Sequence, residues 1–153
     1  MIALIQRVSQ AEVRVDDRIV GSIGPGTLAL VGVQRDENER SADRLLERVL
    51  TYRIFSAANG RMNLSLRDTG GGLLLVSQFT LVADTQKGTR AGFSRGATPE
   101  DARRLFDYLV QQARATHATV ATGEFAADMK VSLTNDGPVT FWLEANSASQ
   151  PSS

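Results

Sequence analysis

One apolar run limits the architectures open to this chain. Leu73-Leu74-Leu75-Val76 is the densest hydrophobic stretch of the sequence, and the more polar segment Ser77-Gln78-Phe79-Thr80 follows it directly. Such a run is typical of a strand buried on both faces. If the strand continues to Ala83, its period of two places Gln78 and Thr80 on one face and the other two residues on the opposite face. Because buried polar groups need partners, we predict a site at this strand end.

The composition favours a single domain without metal or thiol chemistry. The chain has 153 residues, 42% of them hydrophobic, which suits one domain with a substantial core. Basic and acidic side chains balance at 17 each, so a nucleic acid would have to be bound by a local patch. There is no cysteine and only one histidine, His117, and we therefore expect no metal and no cofactor.

The first residues are apolar but include Gln6 and Arg7, too early for a signal peptide, and no run is long enough to span a membrane. We therefore expect a cytoplasmic protein with no membrane partner and no DNA partner.

Sequence periodicity predicts a mixed α/β fold around the central strand. Two helical patterns, near 42–50 and 98–113, place apolar residues at i, i+3, i+4 and i+7, and Thr98 with Pro99 forms a helix start. Further strands are predicted at 2–15, 19–23, 27–33, 118–121, 129–134 and 139–144. Residues 1–144 form the predicted domain, and the serine-rich segment 145–153 is predicted to be a disordered tail.

The glycine-rich segment 84–97 carries three cations, Lys87, Arg90 and Arg95. Long loops in small domains are often functional, and these cations suit a phosphate backbone as well as they suit an ordinary solvated loop.

The same segment contains a serine-hydrolase pattern. Gly92-Phe93-Ser94-Arg95-Gly96 matches the nucleophile elbow, and Asp107 and His117 follow in the usual order. An elbow needs its serine where a strand meets a helix, whereas the predicted strand ends well before Ser94. A cation at His117 would also complement the end of the second helix, which is a structural role. A serine esterase using Ser94 and His117 therefore stays an alternative.

A second motif, Asn135-Asp136-Gly137-Pro138, separates two predicted strands. These residue types favour turns, and an ordinary trans turn is the plain interpretation. A cis Gly137-Pro138 bond would instead direct backbone carbonyls outward.

Together, Ser77-Gln78-Phe79-Thr80-Leu81 and Asn135-Asp136-Gly137-Pro138-Val139-Thr140 resemble the paired motifs of the D-aminoacyl-tRNA deacylases. The resemblance covers about residues 1–144. It includes Gln6-Arg7-Val8, Tyr52-Arg53-Ile54-Phe55, Met62-Asn63-Leu64, Phe125-Ala126-Ala127-Asp128-Met129 and Val139-Thr140-Phe141-Trp142-Leu143.

The resemblance implies a homodimer with a mixed α/β fold, a barrel-like sheet arrangement and two main helices. Such proteins act in chiral proofreading during translation. They hydrolyse the ester that joins a D-amino acid to the terminal adenosine of tRNA, and they also remove glycine mischarged onto tRNA(Ala).

The resemblance also implies a site shared between two subunits. Gly137-Pro138 of one subunit would enter the pocket of the other and reject L-amino acids with main-chain atoms. N–H groups at Gln78, Phe79 and Thr80 would form the oxyanion hole, and the Ser77 and Gln78 side chains would steady the strand.

Thr80 would position the ester or water, because neither motif supplies the base that a threonine nucleophile needs. This absence suits participation of the substrate's ribose 2′-hydroxyl. The remaining assignments are Arg7, Phe125, Met129 and Asn135 in the substrate pocket and Lys87, Arg90 and Arg95 as tRNA contacts. Besides the esterase, a catalytically silent RNA-binding or dimeric scaffold of the same fold stays open.

Overall fold

The computed structural model describes residues 1–146, so most of the predicted tail, residues 147–153, lies outside the described residues. The strands are β1 (Ile2–Val15), β2 (Arg18–Ile23), β3 (Gly26–Gly32), β4 (Phe55–Ser56), β5 (Met62–Leu64), β6 (Gly72–Ser77), β7 (Val120–Thr122) and β8 (Lys130–Glu144). The helices are α1 (Glu39–Thr51), α2 (Leu66–Thr69) and α3 (Pro99–Thr116). No helix in this range is long and apolar enough to cross a membrane.

The first three strands form one long hairpin. Ala11 pairs with Ile23 and Val8 pairs with Gly26, so the register continues from β2 to β3 across the loop between them, whereas it shifts by one residue between Val13 and Arg14, nearer the turn. The hairpin turns at Asp16-Asp17, where both residues have positive φ (50° and 63°), as in the turns whose twist matches paired strands. β8 runs antiparallel along the other side of β1.

The main sheet is mixed and nearly closed. Its order is β2-β1-β3-β6-β7, with β8 added beside β1; β3, β6 and β7 are parallel and the other pairs are antiparallel. Gly21 of β2 lies directly against β7, because a Cβ at this position would be 2.2 Å from the Thr122 carbonyl oxygen. The predicted barrel-like α/β fold is therefore confirmed, with a short third helix in addition to the two main ones.

Both faces of the central strand are buried, as the apolar run predicted. Leu73 and Leu75 pack with the side chains of α1 and α3, whereas Leu74 and Val76 pack in a second cluster inside the curved sheet. All four are at most 1% exposed. The run lacks alternation because helices cover one face of β6 and strands enclose the other.

The ends of the domain are fixed by polar contacts. The Met1 ammonium group donates to the Ala145 carbonyl and to Gln34 Oε1 (3.2 Å), and it lies 3.4 Å from a Glu37 carboxylate oxygen. Burial lowers the pKa of this ammonium group, and the Glu37 carboxylate opposes the shift. Ala145 is only 2% exposed, so the packed domain continues one residue beyond the predicted boundary at 144.

The contact between Gly21 and β7 gives a test of sheet closure. We expect Gly21→Ala to lower the free energy of unfolding by about 1–3 kcal/mol, because the added methyl overlaps backbone that cannot rotate away. Gly24→Ala is the matched control, since a Cβ there meets nothing within 4 Å. Urea unfolding of both variants measures the difference, and equal stability of the two would contradict closure at Gly21.

Candidate active site

The strand that carries the first motif ends earlier than its sequence predicts. β6 stops at Ser77, and Phe79–Val82 form a 3₁₀ turn, so the alternation of faces predicted to Ala83 is wrong beyond Ser77. The turn packs on Gly32 of β3, where a Cβ would lie 3.1 Å from Leu81 Cβ. This glycine makes room for a turn in which the chain leaves the sheet.

The turn, and not the strand pleat, brings the two polar side chains of the motif together. Gln78 Nε2 donates a hydrogen bond to Thr80 Oγ1. Gln78 is half-buried and Thr80 is exposed, so the hydroxyl group lies at the surface with its direction set by the amide. The prediction that a strand pleat places both side chains on one face is wrong, and it is the 3₁₀ turn that brings them into contact.

The free backbone donors of the motif are fewer than predicted. The Gln78 N–H donates to the Val31 carbonyl at 2.8 Å and is therefore occupied by β3. The N–H groups of Phe79 and Thr80, the first two of the turn, have no acceptor within residues 1–146, as is usual where a helical turn begins. Two adjacent N–H groups are thus free to bind an anionic oxygen.

The second motif is a bulge within one strand, not a turn between two strands as predicted. Asn135 pairs with Val8 and Thr140 with Gln6, so residues 136–139 face only Arg7 of β1. These four residues form what we call the Gly-Pro bulge. Its Gly137-Pro138 bond is cis, as the family resemblance implied, and Gly137 has a φ of 148°, which other residues rarely adopt.

Arg7 and Asn135 hold the Gly-Pro bulge from both sides. Arg7 Nε donates to the Asp136 carbonyl (2.8 Å), while its Nη1 donates to the Ile54 carbonyl (2.9 Å). The Asn135 side chain accepts from the Val139 N–H (2.7 Å) and donates to Thr140 Oγ1 (2.9 Å). Both residues were predicted to be in the substrate pocket, and their contacts within this chain support the bulge.

Within one chain, the Gly-Pro bulge lies far from Thr80. The bulge is level with Arg7, which pairs with Thr27 and through it with Leu73, whereas β6 ends four residues farther along at Ser77. Measured along the surface of the sheet, the bulge and the end of β6 are about 13 Å apart in the strand direction and about 14 Å apart across the strands, which is three strand spacings. The two motifs therefore do not meet in a single copy.

The two other predicted pocket residues belong to different clusters. Phe125 packs against Phe106 (centroids 6.2 Å apart) on the helix side, and the Arg103 guanidinium lies 4.9 Å from its ring centre. Met129 packs with the cluster inside the curved sheet. Phe125 and Met129 therefore pack against two different hydrophobic clusters.

The loop after the turn is attached to the domain by its own hydrogen bonds. Asp84 and Gly92 exchange two backbone bonds (2.7 and 2.9 Å), and the Arg95 carbonyl accepts from the Arg35 N–H (2.9 Å). Arg95 Nη2 also lies 3.7 Å from an Asp84 carboxylate oxygen. Of the predicted tRNA contacts, Lys87 and Arg90 are exposed and have no ion pair within the described chain.

The esterase residues lie at opposite ends of the parallel strands. His117 Nε2 donates to the Gly71 carbonyl (2.7 Å), just before β6 begins. Ser94 belongs to the loop that follows β6, and its carbonyl accepts from Arg35 Nη1 (3.1 Å). A Ser94–His117 pair is therefore not assembled, and His117 instead ends α3, with its backbone N–H bonded to the Ala113 carbonyl.

A cleft of about 450 Å³ lies elsewhere on the described surface, between β1, β2 and β8. None of the predicted site residues lines it. Its polar lining residues are Gln10, Glu12, Ser22, Ser132 and Thr134.

The support of the Gly-Pro bulge can be tested by hydrogen exchange. We expect Asn135→Ala to speed exchange of the Val139 amide about tenfold, because loss of its acceptor removes roughly 1.4 kcal/mol of protection. Asn135→Asp keeps an acceptor oxygen and should retain most of the protection. Unchanged exchange in Asn135→Ala would show that the bulge is held by other contacts.

Comparison with known proteins gives a consistent result. Residues 4–144 match the family model described as D-Tyr-tRNA(Tyr) deacylase. Proteins named D-aminoacyl-tRNA deacylase from Cronobacter sakazakii and Thioalkalivibrio sulfidiphilus are 62% and 66% identical over 144 residues. These alignments cover 94% of this chain and 99% and 97% of the relatives.

Two solved structures share the fold. One, described as "c-Myc DNA Unwinding Element Binding Protein", has a TM-score of 0.91 at 31% identity and covers 96% of this chain and 100% of its own. Another, described as "Structural Analysis of a probable eukaryotic D-amino acid tRNA deacylase", has a TM-score of 0.81 at 16% identity, with coverage of 94% and 98%. The second likeness concerns the fold alone.

Proposed function

This chain belongs to the D-aminoacyl-tRNA deacylase family, and we propose that it hydrolyses D-aminoacyl-tRNA to free tRNA and the D-amino acid. The observation that carries this function is the family match over residues 4–144, which includes both motifs. Relatives of nearly the same length bear this enzyme name at 62–66% identity. The chain is thus assigned as an ester hydrolase of translation proofreading, and the resemblance seen in its motifs is confirmed.

The start of the 3₁₀ turn supplies the chemistry that ester hydrolysis needs. The ester carbonyl oxygen would accept from the Phe79 and Thr80 N–H groups, which have no acceptor among residues 1–146. When water adds to the carbonyl carbon, negative charge develops on that oxygen, and fixed N–H donors stabilise it. The ester bond then breaks, the ribose oxygen leaves with a proton, and the amino acid departs as a carboxylate.

Thr80 acts in this proposal as a positioning group. Its hydroxyl accepts from Gln78 Nε2, and none of the described hydrogen bonds joins it to a carboxylate or histidine that could remove its proton. The substrate's ribose 2′-hydroxyl would take part in the proton transfers, in line with the family resemblance. Ser77 and Gln78 steady the strand end from which the turn begins.

Selection of the D-enantiomer would require a second copy of the chain. Because the Gly-Pro bulge lies three strands away from Thr80 in its own chain, only the bulge of another subunit would reach the turn. Its main-chain atoms, fixed by Arg7 and Asn135, would clash with the side chain of an L-amino acid. Glycine has no side chain to clash, so glycine on tRNA(Ala) would also be removed.

The remaining assignments follow from charge and surroundings. Lys87 and Arg90 would contact tRNA phosphates, whereas Arg95 is partly neutralised by Asp84. Phe125 and Met129 stay candidates for the substrate pocket once a second subunit is added.

The proposal includes a cytoplasmic location and no cofactor. Our expectation of no DNA partner contrasts with the description of the 31% identical structure as a DNA-element-binding protein.

The proposed function is tested by matched deacylation assays. We expect D-tyrosyl-tRNA to be hydrolysed at least about a hundredfold faster than L-tyrosyl-tRNA, a difference of about 2.7 kcal/mol in the barrier. A fluorophosphonate should not inhibit, since Ser94 has no histidine partner. Inhibition with labelling of Ser94 would support the esterase, and binding of D-tyrosyl-tRNA without hydrolysis would support the silent scaffold.

The role of Thr80 has its own test. We expect Thr80→Ala to lower kcat about tenfold, the effect of losing one positioning hydrogen bond of about 1.4 kcal/mol, and Thr80→Ser to keep most of the activity. Mass spectrometry of quenched Thr80→Ser and unaltered enzyme should show no acyl adduct. A trapped acyl-threonine would establish a nucleophilic role instead.

A further inference from the structure

Two exposed aromatic rings lie beside the free N–H groups of the turn. Phe79 is 66% exposed, Phe93 is 45% exposed, and their ring centres are 5.2 Å apart with the planes inclined by 48°. We call this pair the aromatic platform. Large apolar side chains grouped at a protein surface usually mark a binding site, and neither motif chemistry nor core packing uses these rings.

The chain holds Phe93 in place with contacts on both sides. The Asp84–Gly92 bonds close the loop immediately before Phe93, and the Phe93 carbonyl accepts from the Gly96 N–H at 3.1 Å. Beyond it, the Ala97 N–H donates to the Val33 carbonyl at 3.0 Å. The side chain is therefore presented by an ordered loop, although it contributes little to the core.

Positive charge accompanies the aromatic platform. Lys87 and Arg90 lie in the loop that the Asp84–Gly92 bonds close, and neither has an ion pair among the described residues. Arg35 donates to the Ser94 carbonyl, which places a further cation next to Phe93. Aromatic rings with unpaired cations beside them are the usual surface for single-stranded nucleic acid, whose bases stack while phosphates meet the cations.

We infer that the aromatic platform stacks the unpaired nucleotides that precede the terminal adenosine of tRNA, with Lys87 and Arg90 at their phosphates. This inference rests on the proposed function and assigns a part of the substrate to a surface next to the same site. Phe79 lies between Gln78 and Thr80, so the ring continues directly from the proposed ester-binding turn. Charge complementarity favours RNA over a second copy of this net-neutral chain as the occupant.

The test compares a long and a short substrate. D-tyrosyl-tRNA contains the preceding nucleotides, whereas the D-tyrosyl ester of adenosine lacks them. For Phe93→Ala, we expect KM for the tRNA to rise about tenfold with kcat nearly constant, as expected from loss of one stacked base. The value of kcat/KM for the tRNA substrate divided by that for the adenosine ester should therefore fall by the same factor. Phe93→Leu should behave like Phe93→Ala, because leucine is apolar but offers no flat ring.

Ile19→Ala is the matched control, since Ile19 is also apolar and 52% exposed but lies on β2. For Ile19→Ala, kcat/KM for the tRNA divided by kcat/KM for the adenosine ester should equal the value for the unaltered enzyme. Thermal melting of all three variants checks that they are folded. An unchanged ratio in Phe93→Ala, or full recovery in Phe93→Leu, would overturn the inference.

Two further measurements separate the possible failures. Fluorescence anisotropy with a short single-stranded RNA ending in CCA should show about tenfold weaker binding by Phe93→Ala. This result stands even if the enzyme hydrolyses neither substrate, in which case only the proposed function fails. If Phe93→Ala instead weakens self-association in sedimentation and impairs both substrates equally, a second copy covers the aromatic platform and the inference is wrong.

Discussion

The packing of the 3₁₀ turn on Gly32 is the interaction on which the proposed site depends. A Cβ at Gly32 would lie 3.0 Å from Val82 Cγ1 and 3.1 Å from Leu81 Cβ, closer than ordinary van der Waals contact, so a side chain there would push against the turn that leaves the sheet after Ser77. Because the turn forms there, the Phe79 and Thr80 N–H groups lose their strand partners and Gln78 meets Thr80. One close backbone approach therefore sets both the donors and the hydroxyl group of the site.

The Gly-Pro bulge is held differently from the 3₁₀ turn. Strand pairing fixes its position, and hydrogen bonds from two side chains make it rigid. β8 pairs with β1 on both sides of the bulge, in registers that differ across it, and this pairing on both sides fixes the position of the bulge along β1. Arg7 connects it to the chain before β4, and Asn135 closes it from within. A main-chain surface fixed in this way can reject a ligand by shape, because no rotamer change relieves the clash.

Much of this fold could be predicted from the sequence, and the failures have physical causes. The run at Leu73 predicted burial on both faces, and Thr98 with Pro99 predicted the start of α3; both are confirmed. The end of β6 was missed because it depends on Gly32, more than forty residues away in the chain. The bulge was predicted as a turn because Asn, Asp, Gly and Pro favour both, and only the pairing with β1 distinguishes them.

The central claim is that one subunit supplies the ester-binding turn and that another supplies the main-chain atoms that discriminate between D- and L-amino acids. A crystal structure with a non-hydrolysable D-tyrosyl-adenosine amide tests it most directly. We expect the ligand carbonyl oxygen about 3 Å from the Phe79 and Thr80 nitrogens, with Gly137 of the partner subunit in van der Waals contact with the ligand Cα. A complex in which every Gly-Pro bulge points into solvent, away from the ligand, would contradict the claim.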